Sequence, residues 1–471
     1  MNQALVPIRF RRLPTSQYVI TNDAGDFLYG SETLIDRYVA QQITEKDRHI
    51  LTRSGFTYSR LGDLPSIGFA NRWLKRSYVS NQLGYVVVVP TLRCDLDCSY
   101  CQVSRVAENA PGFDWSAQTL KSVKDFLSSL ETDNIKIEFQ GGEPLLRLDI
   151  LQEIRSFCRS NFDTSEFVVC TNLQNVSDEA WAFFQANDTQ ISTSFDGSFH
   201  NHKRQRTKDN ATTELFIKNL EKAISVCGEE RVSVLPTLDV QNLPDVSDLI
   251  SNFAQLGMRS IFLRPINHHG FARKKHDATG SVDPWTMYHK AFIQKLIEYN
   301  WQHEDWIEDF YFSHLLRRVF LGTANGHVDI RNPNILGSDY VLIDYDGQFY
   351  PTDEARMLTR TGNINLAVGH IEDGLDLELL SSLNELSLND NAPDCVHCAY
   401  KPYCGVDLID DLSRYGRVDV PKIDTDYCRK HMSLFDFLFE LILDKDEKTR
   451  HSIGLWLGVP NFSTELVRKC P

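Results

Sequence analysis

The sequence predicts an α/β protein whose central part is a partial (β/α)6 barrel. Short β-rich apolar runs alternate with amphipathic helical segments between residues 84 and 280, which is typical of repeated βα units around a parallel sheet. Six such units are too few to close an eight-stranded barrel. Residues 1–80 have the pattern of a small α+β module. The 471-residue chain has one group of cysteines in its central part and a second group toward its other end.

The composition limits the partners that the protein can have. The chain carries 49 Lys and Arg against 64 Asp and Glu, a net charge of −15, which disfavours a nucleic-acid partner. No apolar run reaches the roughly 18 residues that span a bilayer, and the N-terminus lacks a secretory signal core. We therefore expect a cytoplasmic protein without a membrane partner, where clustered cysteines indicate metal ligands rather than disulfides.

The N-terminal module is predicted to be a hairpin followed by a helix. "SQYVITNDAGDFLYGS" alternates apolar and polar residues around an Asp-Ala-Gly-Asp turn. "SETLIDRYVAQQI" has helical apolar spacing, with Ser31 as a candidate N-cap. The module would suit peptide recognition by strand addition to a sheet edge; the alternative is that it only caps the barrel.

Two further regions are expected after the barrel. Residues 281–340 form bridging helices, beginning with "DPWTMYHKAFIQKLIEYNW". Residues 341–471 form a cysteine-rich domain that opens with a hairpin, "YVLIDYDGQFYPTDEARML", around an Asp-Gly turn. It ends in the apolar helix "HMSLFDFLFELILDKDE".

The functional site is expected at the carboxyl ends of the barrel strands, where parallel α/β folds bind their ligands. Four unusual motifs follow the first four predicted strands in order: "CDLDCSYC", "GGEP", "TN" and "DG". The first motif holds Cys94, Cys98 and Cys101 on one loop. Thiolates suit iron–sulfur clusters and zinc, but structural zinc needs a fourth ligand. A [4Fe–4S] cubane with one open iron fits better, with zinc as the alternative.

The three-cysteine motif, with Tyr100 before its last cysteine, resembles the signature of the radical S-adenosylmethionine (radical SAM) enzymes. "FQGGEPLL" resembles the Gly-Gly-Glu-Pro motif of that family, and "TSFDG" its ribose-side motif. The resemblance implies a radical SAM barrel and a [4Fe–4S] cluster coordinated with S-adenosyl-L-methionine. It also implies one-electron cleavage of this cofactor to a 5′-deoxyadenosyl radical, which removes hydrogen from an unactivated carbon.

The resemblance also implies which residues surround S-adenosylmethionine. The methionine amino group would be lined by Gln140, Gly141, Gly142 and Glu143, the adenine by Tyr100, and the ribose or carboxylate by Ser194, Asp196 and Arg206. The two glycines, which lack a Cβ, allow close backbone approach, and Glu143 offers an anion to the ammonium. Alternatively, Asp196 only forms a turn with the following glycine, and Arg206 belongs to a solvated basic run.

The second cysteine group could form a closed four-thiolate site. Its members are Cys395, Cys398, Cys404 and Cys428. Four thiolates could hold zinc; by resemblance they match one cluster of the SPASM-type auxiliary domain of peptide-modifying radical enzymes. Ligands of a second auxiliary cluster are missing, since Thr352 stands where that family has a cysteine. We therefore expect one auxiliary [4Fe–4S] cluster, fully ligated and suited to electron transfer.

Asp353 matches the general base of anaerobic sulfatase-maturating enzymes, which share this architecture; the alternative is an exposed turn residue. "IRFRRL", "CQVSR" and "YPTDEARML" together resemble the radical SAM maturase of the His-Xaa-Ser peptide system. This implies a peptide or protein substrate, an external one-electron reductant such as flavodoxin or ferredoxin, and a second maturase. The alternatives are a formylglycine-generating sulfatase maturase and a non-catalytic metal-binding scaffold. Outside the clusters, Cys158, Cys170 and Cys227 are interpreted as small core residues.

Overall fold

The N-terminal part of the protein is a small α+β module. In this computed structural model, residues 4–77, 82–267, 269–275, 282–322, 327 and 330–459 are described. The module contains strands β1 (Arg9–Arg12), β2 (Tyr18–Thr21) and β3 (Phe27–Gly30) and helices α1 (Glu32–Val39), α2 (Glu45–Arg53) and α3 (Leu64–Ser77).

The predicted hairpin is β2–β3, and β1 adds a third antiparallel strand to it. The predicted cap of α1 is also present, because the Ser31 side chain accepts the N–H of Leu34 at 3.3 Å. Short antiparallel pairing of Ala4–Leu5 with Thr57–Tyr58 closes the module.

A seven-stranded sheet forms the centre of the molecule. Its strands are β4 (Tyr85–Val88), β5 (Asn134–Phe139), β6 (Thr164–Cys170), β7 (Thr189–Ser194), β8 (Val232–Leu235), β9 (Tyr340–Ile343) and β10 (Phe349–Tyr350). The order is β8-β7-β6-β5-β4-β9-β10, parallel throughout except for β10. The helices between the strands are α4 (Ala117–Ser128), α5 (Leu148–Asn161), α6 (Asp178–Phe184), α7 (Asn210–Cys227) and α8 (Val246–Gln255). The α/β partial barrel expected from the sequence is confirmed.

The sixth predicted strand lies outside this sheet in two short pieces. Ser260–Ile261 pairs in parallel with Glu308–Asp309, and Arg264–Pro265 pairs in parallel with Thr237–Leu238. The run therefore forms two short two-stranded sheets and does not extend the main sheet.

The predicted domain boundary at residue 341 falls inside the barrel sheet and needs correction. Strand β9 pairs in parallel with β4, and β10 pairs back onto β9. All four residues of β9 are buried, and a strand that is apolar on both faces is stable in the interior of a covered parallel sheet. The hairpin that was expected to open the C-terminal domain thus belongs to the barrel.

The rest of the chain is mainly helical. Its helices are α9 (Val282–Gln302), α10 (Phe310–Leu321), α11 (Asp353–Arg360), α12 (Leu377–Ser387), α13 (Leu408–Tyr415), α14 (Asp426–Leu443) and α15 (Glu447–Leu457). Helix α9 packs against α14 and α15, and the large core joins the barrel to these helices. No helix in the described part of the chain is long and apolar enough to cross a membrane.

Candidate active site

The interior of the partial barrel is a cavity of about 400 Å³, lined by both polar and apolar side chains. Alternate side chains of a strand point to opposite faces, and β5 shows this alternation clearly. Ile135 and Ile137 are buried in the core, whereas Lys136 and Glu138 line the cavity, as does Gln140 just after the strand. The cavity therefore receives ionisable side chains from the strand itself, in addition to the motifs at its carboxyl end.

The first cysteine group lies at one end of this cavity. Cys94, Cys98 and Cys101 all line it. The Leu96 N–H donates to Cys94 Sγ at 3.5 Å, and the Phe271 N–H donates to the carbonyl of Cys101 at 2.9 Å. Burial raises the pKa of the Cys94 thiol, and it raises the pKa of Cys98 to about 11. Metal coordination would overcome this, because it releases the thiol proton.

The two glycines after β5 fasten the cysteine loop to the sheet. A Cβ on Gly141 would lie 2.3 Å from the carbonyl oxygen of Thr91, and one on Gly142 would lie 2.1 Å from that of Arg93. The Gly142 N–H donates to Thr91 O at 3.0 Å, and the Glu143 N–H donates to Arg93 O at 2.8 Å. The absence of a Cβ at these two glycines therefore allows residues 141–142 to pack closely against residues 91–93.

The Glu143 carboxylate is buried and already hydrogen-bonded within the protein. It accepts the Thr171 hydroxyl at 2.8 Å, the Leu145 N–H at 3.1 Å and the Asn172 N–H at 2.8 Å. Burial raises its pKa to about 7, while these hydrogen bonds oppose the rise. The residue ties the end of β5 to the end of β6; its role toward an ammonium group stays a prediction.

Tyr100, Asp196 and Arg206 form one buried network beside the cysteines. The Tyr100 hydroxyl donates to Asp196 Oδ1 at 2.7 Å and accepts Arg206 Nε–H at 2.6 Å. Asp196 Oδ2 is buried with no hydrogen-bond partner among the described residues, and Arg206 Nε lies 3.7 Å away. Burial raises the pKa of Asp196 to about 6, and Arg206 opposes this. Only 14% of the Arg206 side chain is exposed, so it is not the solvated residue of the alternative reading. Ser194 lines the same cavity.

A second polar network continues across the cavity to Asp353. The Gln140 amide donates to Glu138 Oε1 at 2.8 Å and lies 3.5 Å from Asp353 Oδ2. The Cys170 thiol donates to Glu138 Oε1 at 3.2 Å, and the Tyr85 hydroxyl donates to Oε2 of the same carboxylate. Asp353 is partly buried at the first turn of α11 and lines the cavity, so it is not an exposed turn residue.

The interpretation of Cys170 as a core residue is wrong, because its thiol lines the cavity. Glu138 and Tyr85 were not anticipated as site residues. Their signal in the sequence was the polar alternation Lys136-Ile-Glu138-Phe-Gln140, since an amphipathic pattern in a barrel strand marks its interior face.

The second cysteine group lines a separate cavity of about 460 Å³. Its members there are Cys395, Cys398, Cys404 and Cys428. The Tyr400 N–H donates to Cys398 Sγ at 3.4 Å, and Thr425 caps the helix whose first turn carries Cys428. Burial raises the pKa of the Cys404 thiol, and the three neighbouring thiols raise it further.

Both cysteine groups fit iron–sulfur clusters by the chemistry of their donors. Each group presents soft sulfur ligands to one cavity. In the described part of the chain no three His, Cys, Asp or Glu side chains converge tightly enough for a single metal ion. In a cubane each thiolate binds a different iron. A cluster site therefore requires thiolates that line one cavity, and the thiolates need not converge on a single point. Beside the first group, Arg206 lines the cavity and offers a positive charge to the carboxylate of a zwitterionic ligand such as S-adenosylmethionine.

Comparison with known families identifies the central part of the chain. Residues 88–252 match the radical SAM superfamily. These residues form a radical SAM domain. The matched range starts at the last residue of β4 and contains β5 to β8, the cysteine loop and the Tyr100–Asp196–Arg206 network. A [4Fe–4S] cluster and S-adenosylmethionine are the cofactors that this superfamily implies.

Three curated relatives show how far the sequence similarity extends along the chain. An uncharacterized protein of Methanocaldococcus jannaschii is 24% identical over 181 residues, which cover 38% of this chain and 60% of that protein. An uncharacterized protein of Methanothermobacter thermautotrophicus is 30% identical over 122 residues, 24% of this chain and 43% of that protein. This chain thus spans about half of the length of these two relatives. A cysteine-type anaerobic sulfatase-maturating enzyme of Clostridium novyi is 23% identical over 355 residues, 68% of this chain and 86% of the enzyme.

Solved structures show that the shared fold extends beyond the radical SAM domain. The structure of anSMEcpe with bound AdoMet superposes with a TM-score of 0.61 at 17% identity, and the match covers 81% of this chain and 99% of that one. The structure of anSMEcpe with bound AdoMet and the Cp18Cys peptide gives a TM-score of 0.59 at 18% identity, covering 76% and 96%.

Proposed function

We propose that this protein is a radical SAM maturase that abstracts a hydrogen atom from a peptide or protein substrate. One observation carries the proposal. The three cysteines, the Tyr100–Asp196–Arg206 network and Asp353 line or border a single cavity inside a radical SAM domain. A cofactor at the cysteines and a substrate beside Asp353 would therefore share one cavity, which places the radical close to the substrate atom that it attacks.

The side chains divide the work between cofactor and substrate. When bound, the [4Fe–4S] cluster and S-adenosylmethionine supply a 5′-deoxyadenosyl radical. Arg206 and the Gln140–Gly142 backbone would hold the carboxylate and ammonium ends of the cofactor, and Tyr100 would orient Arg206. Asp353, held 3.5 Å from the Gln140 amide, would accept a proton from the substrate as it is oxidised.

The auxiliary site would take part in electron transfer. Four cysteines line its cavity, so a cubane there would have every iron bound by the protein and no iron open to substrate. Such a cluster would suit the removal of one electron from the substrate radical and its transfer to the oxidised form of an external one-electron carrier, such as a flavodoxin or ferredoxin.

A peptide is the substrate class that the architecture favours. The fold is shared with anSMEcpe, which has been solved with a bound peptide. Among the described residues, β1 pairs on one side only, with β2, so an extended peptide can add to its free edge. A His-Xaa-Ser repeat peptide, accompanied by a second maturase, is the specific substrate that we propose to test first.

The enzyme class is tested by anaerobic reconstitution with iron and sulfide. About eight iron atoms per chain are expected from two cubane clusters, with 5′-deoxyadenosine formed under reducing conditions. A variant with Cys94, Cys98 and Cys101 replaced by alanine should retain about half of the iron and form no 5′-deoxyadenosine. Tightly bound zinc without iron would instead favour a non-catalytic metal-binding scaffold.

The substrate is tested by mass spectrometry of a co-expressed His-Xaa-Ser peptide in deuterated buffer, because isomerisation leaves the mass unchanged in ordinary water. The matched control is the Asp353→Asn enzyme with the same peptide. A new mass or a site of deuterium incorporation that needs Asp353 supports the proposal. A peptide that remains unmodified while 5′-deoxyadenosine forms would reject this substrate and leave the enzyme class intact.

A sulfatase-maturase activity is the second candidate. It is favoured by the long match to the Clostridium novyi enzyme and by the position of Asp353 in the cavity. The test is incubation with a peptide carrying the Cys or Ser of a sulfatase motif, followed by capture of the product aldehyde with a hydrazide. An aldehyde signal that Asp353→Asn abolishes would establish this activity.

A further inference from the structure

The N-terminal sheet lies directly against the auxiliary cysteine segment. The Thr21 hydroxyl donates to the carbonyl of Ala399 at 2.7 Å, and the Tyr403 hydroxyl donates to the carbonyl of Gly25 at 3.0 Å. Both contacts fall within residues 399–403, the segment between Cys398 and Cys404 of the auxiliary group. The module that was expected to recognise peptide or to cap the barrel is thus built onto the auxiliary site.

Arg11, on the edge strand β1, makes the most specific of these contacts. Its Nε and Nη2 donate to the two oxygens of Asp436 at 2.6 and 2.8 Å, the bidentate geometry of a strong ion pair. The Tyr400 hydroxyl donates to Asp436 Oδ1 at 2.6 Å, and the Tyr400 N–H donates to Cys398 Sγ at 3.4 Å. A continuous set of hydrogen bonds therefore connects the edge strand to a sulfur of the auxiliary group.

The Arg11 side chain also lines the cavity of the four cysteines. Arg11 therefore shares one cavity with the four cysteine sulfurs, and its positive charge can act on a negative charge held there. The other charged residues that line this cavity are Arg12, Lys401, Lys422, Asp394, Asp407 and Asp411.

We propose that Arg11 and Asp436 set the reduction potential of the auxiliary cluster, and that the N-terminal sheet is thereby part of the auxiliary electron-transfer site. The inference rests on the proposed function, because it requires a cluster at the four cysteines. Reduction adds one negative charge to a cluster, which a nearby cation stabilises and a nearby anion destabilises. Arg11 and Asp436 therefore act in opposite directions on the same equilibrium.

The test is a redox titration, followed by electron paramagnetic resonance, of the full-length protein. The Cys94, Cys98 and Cys101 alanine background leaves the auxiliary signal alone. Arg11→Gln should shift the potential to more negative values, because it leaves Asp436 uncompensated. Asp436→Asn should shift it to more positive values. Arg11→Lys keeps the charge and should shift the potential less than Arg11→Gln does.

A matched control comes from the same module. Arg72 makes an equivalent fork to Asp26, with Nε and Nη2 at 2.7 and 2.8 Å from its oxygens, and it does not line the cysteine cavity. Arg72→Gln should leave the potential unchanged.

Opposite shifts in Arg11→Gln and Asp436→Asn distinguish an electrostatic role from loosening of the structure, since loosening moves both variants in the same direction. Shifts of the same sign, or no shift in either variant, overturn the inference while the cluster itself remains established. A titrated protein without iron in this background overturns the auxiliary cluster of the proposed function as well.

Discussion

Gly142 offers the sharpest test of how the cysteine loop is held in place. A Cβ at this position would lie 2.1 Å from Arg93 O and 2.5 Å from Leu92 O. Ordinary contact begins at 3.4 Å, so Gly142→Ala must displace main-chain atoms by about 1 Å, which costs roughly 1–3 kcal/mol as overpacking. The displacement also weakens the hydrogen bond from Gly142 N to Thr91 O, worth about 1 kcal/mol.

The cost of Gly142→Ala is therefore about 2–4 kcal/mol, and it falls on the loop that carries Cys94, Cys98 and Cys101. We expect the variant to lose most of the iron at these cysteines while the auxiliary site keeps its own. Iron content per chain and hydrogen–deuterium exchange of the cysteine loop measure the effect. Stability of the whole chain is a poorer readout, because a protein with several cores need not unfold in one step.

Gly112→Ala is the matched control. Gly112 has φ +82°, yet a Cβ there would meet nothing within 4 Å. The substitution thus costs only about 1–2 kcal/mol for the left-handed backbone and should leave the iron content unchanged. If Gly142→Ala bound iron like the original protein, or if Gly112→Ala lost as much iron, the packing explanation would be refuted.

Three further predictions concern the cavity. Tyr100→Phe removes the hydroxyl between Asp196 and Arg206 and should weaken S-adenosylmethionine binding about tenfold, the equivalent of ~1.4 kcal/mol; equilibrium dialysis measures this, and an unchanged affinity would contradict the role of the network. Asp353→Asn should abolish the modified product but preserve 5′-deoxyadenosine formation, since it removes only the proton acceptor; equal loss of both would place Asp353 in cofactor binding. Because burial raises the pKa of Asp196 from 3.8 to about 6, the folded apoprotein retains a proton that the unfolded chain has released. The contribution of Asp196 to the free energy of unfolding is therefore greatest below pH 4, and it falls by about 3 kcal/mol as the pH rises through 6. Denaturant titrations of Asp196→Asn should lack this slope, and a slope that persists would assign it to another group.

Local sequence patterns were sufficient to predict the first cysteine group and the cap of α1. The spacing of Cys94, Cys98 and Cys101 fixes three ligands on one loop, whatever the rest of the chain does. The Ser31 cap likewise depends on an N–H only three residues away. Features of this kind are short-range, so a single sequence contains all of the information that they require.

Cys170 was misinterpreted because its strand is apolar on both faces. In "EFVVC", Phe167 and Val169 face the core, whereas Val168 and Cys170 line the cavity. An apolar run without polar alternation gives no indication of which face points inward. The neighbouring strand β5 does alternate, and there the cavity-lining residues could have been identified.

Long-range pairing explains the remaining differences. Strand β9 follows β4 by some 250 residues, yet the two are neighbours in the sheet, and no local pattern specifies such a partner. The same applies to Arg11 and Asp436, which lie 425 positions apart. The contact between the N-terminal sheet and the auxiliary site was for this reason not accessible from the sequence.

The pairing of β9 with β4 also determines which part of the protein positions Asp353. β4 leads into the cysteine loop, and β9 and β10 lead to Asp353 at the start of α11. Asp353 is thus fixed by the barrel sheet and by its approach to Gln140, although in sequence it stands close to the auxiliary domain. Asp353 and the first cysteine group therefore follow strands of one sheet, whereas the segment between Cys398 and Cys404 contacts the N-terminal sheet. If the second cysteine group removes the electron as proposed, damage to it should interrupt that step and leave the arrangement of Asp353 and the first cysteine group unchanged.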